Sequence, residues 1–199
     1  MERTEIEAAI ITGARRALRR AYKWSNDTNW PGDTGAENLL QVTIAEAIYQ
    51  KGKPPPAVML EMTLHWISRE DVDGDARRVD ISLHHPRKDG NAEACFSLVE
   101  VKKHPGPYDS DLSKFATLLD ACPGIRQAYL VTYFQKQEHK RGKTKLLDDR
   151  IGEVEAEIDK RCGQIGSMKC FHLPPSRVGK IKHVEGNWHA AVLVSRFTR

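Results

Sequence analysis

The segment Phe96 to His104 reads FSLVEVKKH. It carries an acid and an amine two residues apart at the end of an apolar run. Side chains alternate across a β-strand, so Phe96, Leu98, Glu100 and Lys102 are expected on one face, with Ser97, Val99, Val101 and Lys103 on the other. A second acid, Asp80, lies in RRVDISL, where it alternates against Val79, Ile81 and Leu83. If these two strands pair as a hairpin, Asp80, Glu100 and Lys102 gather at one sheet position. Carboxylates held that close repel unless a cation sits between them. A hard divalent ion such as Mg²⁺ takes few protein carboxylates and keeps water, which leaves room for a phosphate oxygen. Such an ion acidifies a water and stabilises the charge developing on the phosphate. A neighbouring lysine orients or deprotonates that water, or neutralises the transition state. The plainer alternative is a surface ion pair at a strand end, worth about 0–1 kcal/mol.

Those residues need a scaffold. Residues 4 to 24 suit an amphipathic helix whose outer side carries Arg15, Arg16, Arg19 and Arg20. SNDTNWPGDTG reads as a loop, and AENLLQVTIAEAIYQKG as a second helix stopped by Gly52 and KPPP. Three strand-like segments follow: AVMLEMTLHWIS, alternating Val58, Leu60, Met62, Leu64 and Trp66, then RRVDISLHHP, then ACFSLVEVKK. The polar connections EDVDGDARR and PRKDGNAE between them suit an antiparallel meander. DSDLSKFATLLDAC is a helix with an Asp or Ser cap and a stripe of Leu112, Phe115, Leu118 and Leu119. RQAYLVTYF is a strand buried on both faces. QKQEHKRGKTK reads as a solvated charge run, LLDDRIGEVEAEIDKRCGQI as a surface helix, and MKCFHL and WHAAVLVSRF as late strands.

With 199 residues, 40% of them hydrophobic and 29% charged, the chain suits a single globular domain. No apolar run reaches the ~18 residues that span a bilayer. The N-terminal segment reads as a helix and not as a signal peptide. Cys95, Cys122, Cys162 and Cys170 form no CxxC pair, which disfavours a zinc ribbon or disulfide scaffold and suits reduced thiols in a cytoplasmic protein. The net charge of +4 is unevenly spread. From Arg161 onward seven Lys or Arg face one acid, Glu185, a balance of +6 that leaves −2 for the rest. A basic C-terminal part is compatible with a nucleic-acid partner.

Other chemistries find less support. DVDGD resembles a calcium loop, but its bidentate position would fall on Ser82 inside a strand, so a hairpin turn is the better reading. No HxH or HExxH occurs, and His84, His85, His104, His183 and His189 are scattered. Neither a GxSxG turn nor a glycine-rich phosphate loop is present. Lys136, Lys140, Arg141, Lys143 and Lys145, or Lys180 and Lys182 with Trp188, could follow a phosphate backbone, and a solubilising role serves equally well.

RRVDISL, SLVEVKK and DLSKFATLLDACPGIRQAYLVTYF together resemble the core of the PD-(D/E)XK nucleases, the restriction-endonuclease-like superfamily. The resemblance covers about residues 36–134 and includes the order of elements. It implies an α/β fold with an αβββαβ core and a mixed central sheet flanked by helices. The N-terminal helix 4–24 and a basic extension 146–199 complete the single domain. It implies a divalent-metal-dependent phosphodiesterase, a DNA endonuclease by analogy. Asp80 and Glu100 would hold Mg²⁺ or Mn²⁺ with the Val101 carbonyl, and Lys102 would position or activate the water. Val79 stands where the motif often has Pro, and the interval of 20 residues from Asp80 to Glu100 requires an extended turn. The family often adds an acid from its first core helix, for which Glu37 and Glu46 are candidates. At ~100° per residue, Leu40, Ile44, Ala47 and Ile48 share a face that Glu37 approaches and Glu46 opposes, with Gln41 beside Glu37. Glu37 equally suits a plain N-terminal acid favoured by the helix dipole. Duplex cleavage in the family often uses two active sites, which admits a homodimer. A catalytically silent nucleic-acid-binding module, or a protein-interaction module using the arginine-rich first helix, is the alternative on the same fold.

Overall fold

Ile6, Ala9, Ile10, Ala14, Ala17 and Leu18 recur at helical spacing and are buried, which makes α1 (Arg3–Trp24) a helix with one core-facing stripe. It packs lengthwise on α2 (Ala36–Lys51), whose buried side carries Leu40, Ile44, Ala47 and Ile48. The computed structural model describes residues 1–24, 36–68, 77–86, 92–137, 147–183 and 186–199. Gly13 allows the helices to touch backbone to backbone. A β-carbon there would lie 2.6 Å from Ile44 Cα and 2.8 Å from the Thr43 carbonyl oxygen.

The helix pair covers one face of a seven-stranded mixed sheet. Its strands are β1 (Ala57–Thr63), β2 (Arg78–Pro86), β3 (Ala92–Lys103), β4 (Gln127–Gln137), β5 (Lys169–His172), β6 (Ser176–His183) and β7 (Gly186–Thr198). They run in the order β1-β2-β3-β4-β7-β5, with β6 also paired to β7. β1, β2 and β3 form the expected antiparallel meander. β3 and β4 are parallel, and the crossover between them is the helix α4 (Asp109–Ala121). α4 and α5 (Leu147–Ile165), with the short α3 (Leu64–Ser68), cover the other face. Two cores result, one on each side of the sheet. β4 separates them, sending Tyr129, Val131 and Tyr133 into one and Ala128, Leu130 and Phe134 into the other, as its continuous apolar run predicts. No helix among the described residues is long and apolar enough to cross a membrane.

Several expectations need correction. The segment expected as one strand from 57 to 68 bends at Glu61, whose φ is +53°, and finishes as α3. Leu60 and Trp66 are therefore exposed while Leu64 is buried. Val79 does not share a face with Ile81 and Leu83. It joins the α4 side of the sheet and they join the α1–α2 side, so β2 changes face at Asp80. Phe96 likewise leaves the face of Leu98, because β3 bulges between Ser97 and Cys95 against β2. α4 is preceded by Tyr108, with no side-chain cap, in place of an Asp or Ser cap. β6 is a further strand, between the two late strands that the sequence suggests. The loop SNDTNWPGDTG, residues 87–91 of PRKDGNAE, the DVDGD turn and the lysines from 140 to 145 lie outside the described residues.

Candidate active site at the parting of β2 and β3

β1 and β2 are in regular register from Leu60↔Ile81 to Met62↔Val79, which sets Glu61 opposite Asp80. Both residues break the strand pattern. On the other side of β2, pairing to β3 is regular at Ile81↔Val99 and stops there. Beyond that point the Asp80 carboxylate takes over, its Oδ2 accepting the Val101 N–H at 2.6 Å. A side chain thus replaces a ladder bond where the strands part. The parting exposes the acids of β2 and β3 to the helices on both sides.

Glu100 and Lys102 point toward α4. Glu100 is 2% exposed, and its carboxylate pairs with the Lys114 ammonium from the first turns of that helix. Lys114 also donates to the Arg78 carbonyl at 3.0 Å and lies 3.1 Å from Asp111 Oδ1. The Lys102 ammonium lies 3.1 Å from Asp111 Oδ2, with 27% of its side chain exposed. A charge chain results, running Lys102, Asp111, Lys114, Glu100. From the opposite side, α2 reaches the same parting. Glu37 Oε1 accepts the Lys103 N–H at 2.9 Å, and the Gln41 side chain hydrogen-bonds Asp80.

Burial and the nearby Asp80 charge push the Glu100 acid up to about 8 against the pull of Lys114. Asp80 is raised too, mainly by burial, with the Val101 N–H and Lys114 opposing and Glu61 adding to the rise. Lys114 is held above the ordinary lysine value, the attraction of Glu100 and Asp111 outweighing its burial. Two acids whose proton affinity is raised in this way form a field that favours a cation.

The structure sets Asp80 close enough to Glu100 for their charges to interact, places Glu37 at the same end of β3, and links Lys102 to Glu100 through Asp111 and Lys114. Glu46 goes elsewhere: it is exposed and lies 3.8 Å from Arg16 and from Arg20 of α1. His104 belongs to a neighbouring contact, its Nδ1 3.2 Å from the Tyr108 hydroxyl and its ring 5.1 Å from Phe134. Partial burial holds its imidazole below the ordinary range. His84 is buried against Ser82, at 3.0 Å. Lys114, Asp111 and Glu61 were not anticipated. A helical projection would have found the first two. At ~100° per residue Asp111 falls between Phe115 and Leu118, in the middle of the apolar stripe, with Lys114 at its edge.

The donors at the parting are oxygens: the Asp80 and Glu100 carboxylates and, from α2, Glu37. Among the described residues these acids do not bring three carboxylate oxygens within 4.8 Å of one another. Comparison of the chain with family models, with curated proteins and with solved structures finds no match.

Proposed function

We propose that the protein is a divalent-metal-dependent nuclease, hydrolysing phosphodiester bonds in nucleic acid, with DNA as the first substrate to test. The observation that carries this reading is the pair Asp80 and Glu100 at the parting of β2 and β3, with the Glu100 acid pushed up to about 8. The element order α2-β1-α3-β2-β3-α4-β4, an αβββαβ order interrupted by the five-residue α3, supports the restriction-endonuclease-like reading, with Asp80 on the second strand of that core and the ExK of residues 100–102 on the third.

Asp80, Glu100 and the Val101 carbonyl would hold Mg²⁺ or Mn²⁺, with Glu37 supporting the shell from α2. When bound, the ion acidifies water and stabilises negative charge on a phosphate. Asp80 is oriented for this role by Val101 N–H and Gln41, which fix its carboxylate between the strands. Lys102 is the exposed end of the charge chain. Its ammonium, steered by Asp111, orients the attacking water and neutralises phosphate charge. Lys114 keeps two other partners, Asp111 and the Arg78 carbonyl, when Glu100 turns to a metal. The arginines of α1 and the basic C-terminal part supply positive charge for a polyanion.

One observation favours a second reading. Lys114 already neutralises Glu100, and a protein that kept this fold for binding alone would be served by that internal cation. The deciding experiment incubates the protein with supercoiled and linear DNA and Mg²⁺ or Mn²⁺, alongside Asp80→Ala and Lys102→Ala. Metal-dependent nicking lost in both variants supports the nuclease. Nicking that survives both variants overturns the site. Salt-sensitive binding without cleavage under any metal supports the silent module.

A further inference from the structure

A second cluster of ligating side chains lies away from this site, where α5 meets β5. Asp159 and Cys162 are three residues apart on α5 and so share a helix face. Cys170 and Cys162 are the two thiols that meet there, Cys170 donating a hydrogen bond to Cys162. Cys170 and His172 are two residues apart on β5 and share a strand face. The contacts close around one point. Cys170 Sγ lies 3.8 Å from His172 Nε2, which lies 3.1 Å from Asp159 Oδ1, and Cys170 is hydrogen-bonded to Asp159 as well. One ligand atom each from Asp159, Cys170 and His172 fits within 4.8 Å of the others.

We propose that Asp159, Cys170 and His172 hold a Zn²⁺ ion that ties α5 to the edge of the sheet. Zinc bonds of about 2.3 Å to sulfur and 2.0–2.2 Å to nitrogen or oxygen give tetrahedral edges of about 3.2–3.8 Å. The sulfur–nitrogen and nitrogen–oxygen separations here already match that span. Thiolate, imidazole and carboxylate together select zinc over Mg²⁺ or Ca²⁺, which prefer oxygen alone. The imidazole is oriented for it: His172 Nδ1 lies 2.8 Å from Ser195 Oγ on β7, which leaves Nε2 to the metal. Asp159 is exposed, and Cys162, one turn further along α5, is buried. Three protein ligands leave the fourth tetrahedral position to water. Its mechanical task is plain from the topology, since β5 has four residues and pairs with β7 alone.

The test uses the full chain, stripped of metal and kept reduced, titrated with Co²⁺ and then Zn²⁺. One equivalent of Co²⁺ is expected to give an intense thiolate-to-cobalt charge-transfer band and the visible bands of tetrahedral cobalt, with Zn²⁺ abolishing both. The all-oxygen donors near Glu100 cannot produce the thiolate band, so occupancy there does not confuse the result. Cys170→Ser is expected to remove most of the band, and Asp159→Asn to weaken metal binding about tenfold or more, on the scale of ligand-shell changes. Asp159 is exposed, so that variant stays informative if Cys170→Ser fails to fold. Absence of the band in the reduced protein overturns the proposal. A band unchanged in both variants overturns it as well.

Discussion

The parting of β2 and β3 and the junction of α5 with β5 are both clusters of ionisable groups, and they are built from opposite materials. The first joins buried oxygen acids to lysines that offset their charge. The second joins two thiols and an imidazole to a single exposed acid. Hard donors at a place where strands diverge leave an ion exposed to water and substrate. Softer donors on two packed elements fasten those elements together through the ion. The same fold thus offers one place suited to chemistry and one suited to fastening.

The sharpest way to break that contrast is to remove an acid from the first cluster. Asp80→Ala is expected to lower metal-dependent cleavage by about 10³-fold or more, the several kcal/mol of charge stabilisation that a metal supplies. The cobalt–thiolate band should be untouched, and a loss of both signals would show that the variant had unfolded. Next in size is Lys114→Met, which leaves Glu100 buried without its partner. Urea unfolding should show a loss of about 3 kcal/mol, at the low end for a broken buried pair because Glu100 can take a proton. Adding Glu100→Gln should restore part of it.

A smaller effect concerns pH. The folded Glu100 acid is raised to about 8, above its unfolded value, so the fold holds a proton that the unfolded chain releases. That contribution is complete below pH ~4.5 and is lost as pH rises through about 8. Metal-free stability should therefore fall across this window relative to Glu100→Gln, and Mg²⁺ should reduce the fall by competing with the proton. His104 titrates in the opposite sense, since its folded value is lowered, and it is common to both proteins. Smallest is the effect on stability of Glu46→Gln, which breaks exposed pairs with Arg16 and Arg20. It should cost below about 1 kcal/mol and leave cleavage unchanged, whereas Glu37→Gln should slow cleavage. Equal effects of the two on cleavage would remove Glu37 from the site.

The two clusters also differ in how far the chain announces them. Glu100 and Lys102 stand out because one strand carries them in a period of two, and Asp80 because its neighbours are apolar. Alternation was a poorer guide to faces. It fails wherever an extra residue enters a strand, as at Phe96, or where the backbone turns, as at Glu61 opposite Asp80. Lys114 and Asp111 were hidden by their helix, where an apolar stripe drew attention away from charges set within it. The zinc ligands gave no motif because neither element supplies more than two. Asp159 and Cys170 sit on different elements and meet only after α5 folds back on β5. β6 escaped notice because it pairs with β7 alone and SRVGKIKH lacks the apolar run of a central strand.

Gly13 belongs to neither cluster, yet it sets a clearance on which one of them depends. Its missing β-carbon lets α1 rest on the backbone of α2 at Thr43 and Ile44. Glu37 lies about 10 Å further along the same rod, where it meets the Lys103 amide. A methyl group at residue 13 would push at the middle of α2 and withdraw the acid near its N-terminal end. A genetic screen for conditional alleles would therefore be expected to return residue 13, a position that touches none of the acids and bears no chemistry of its own.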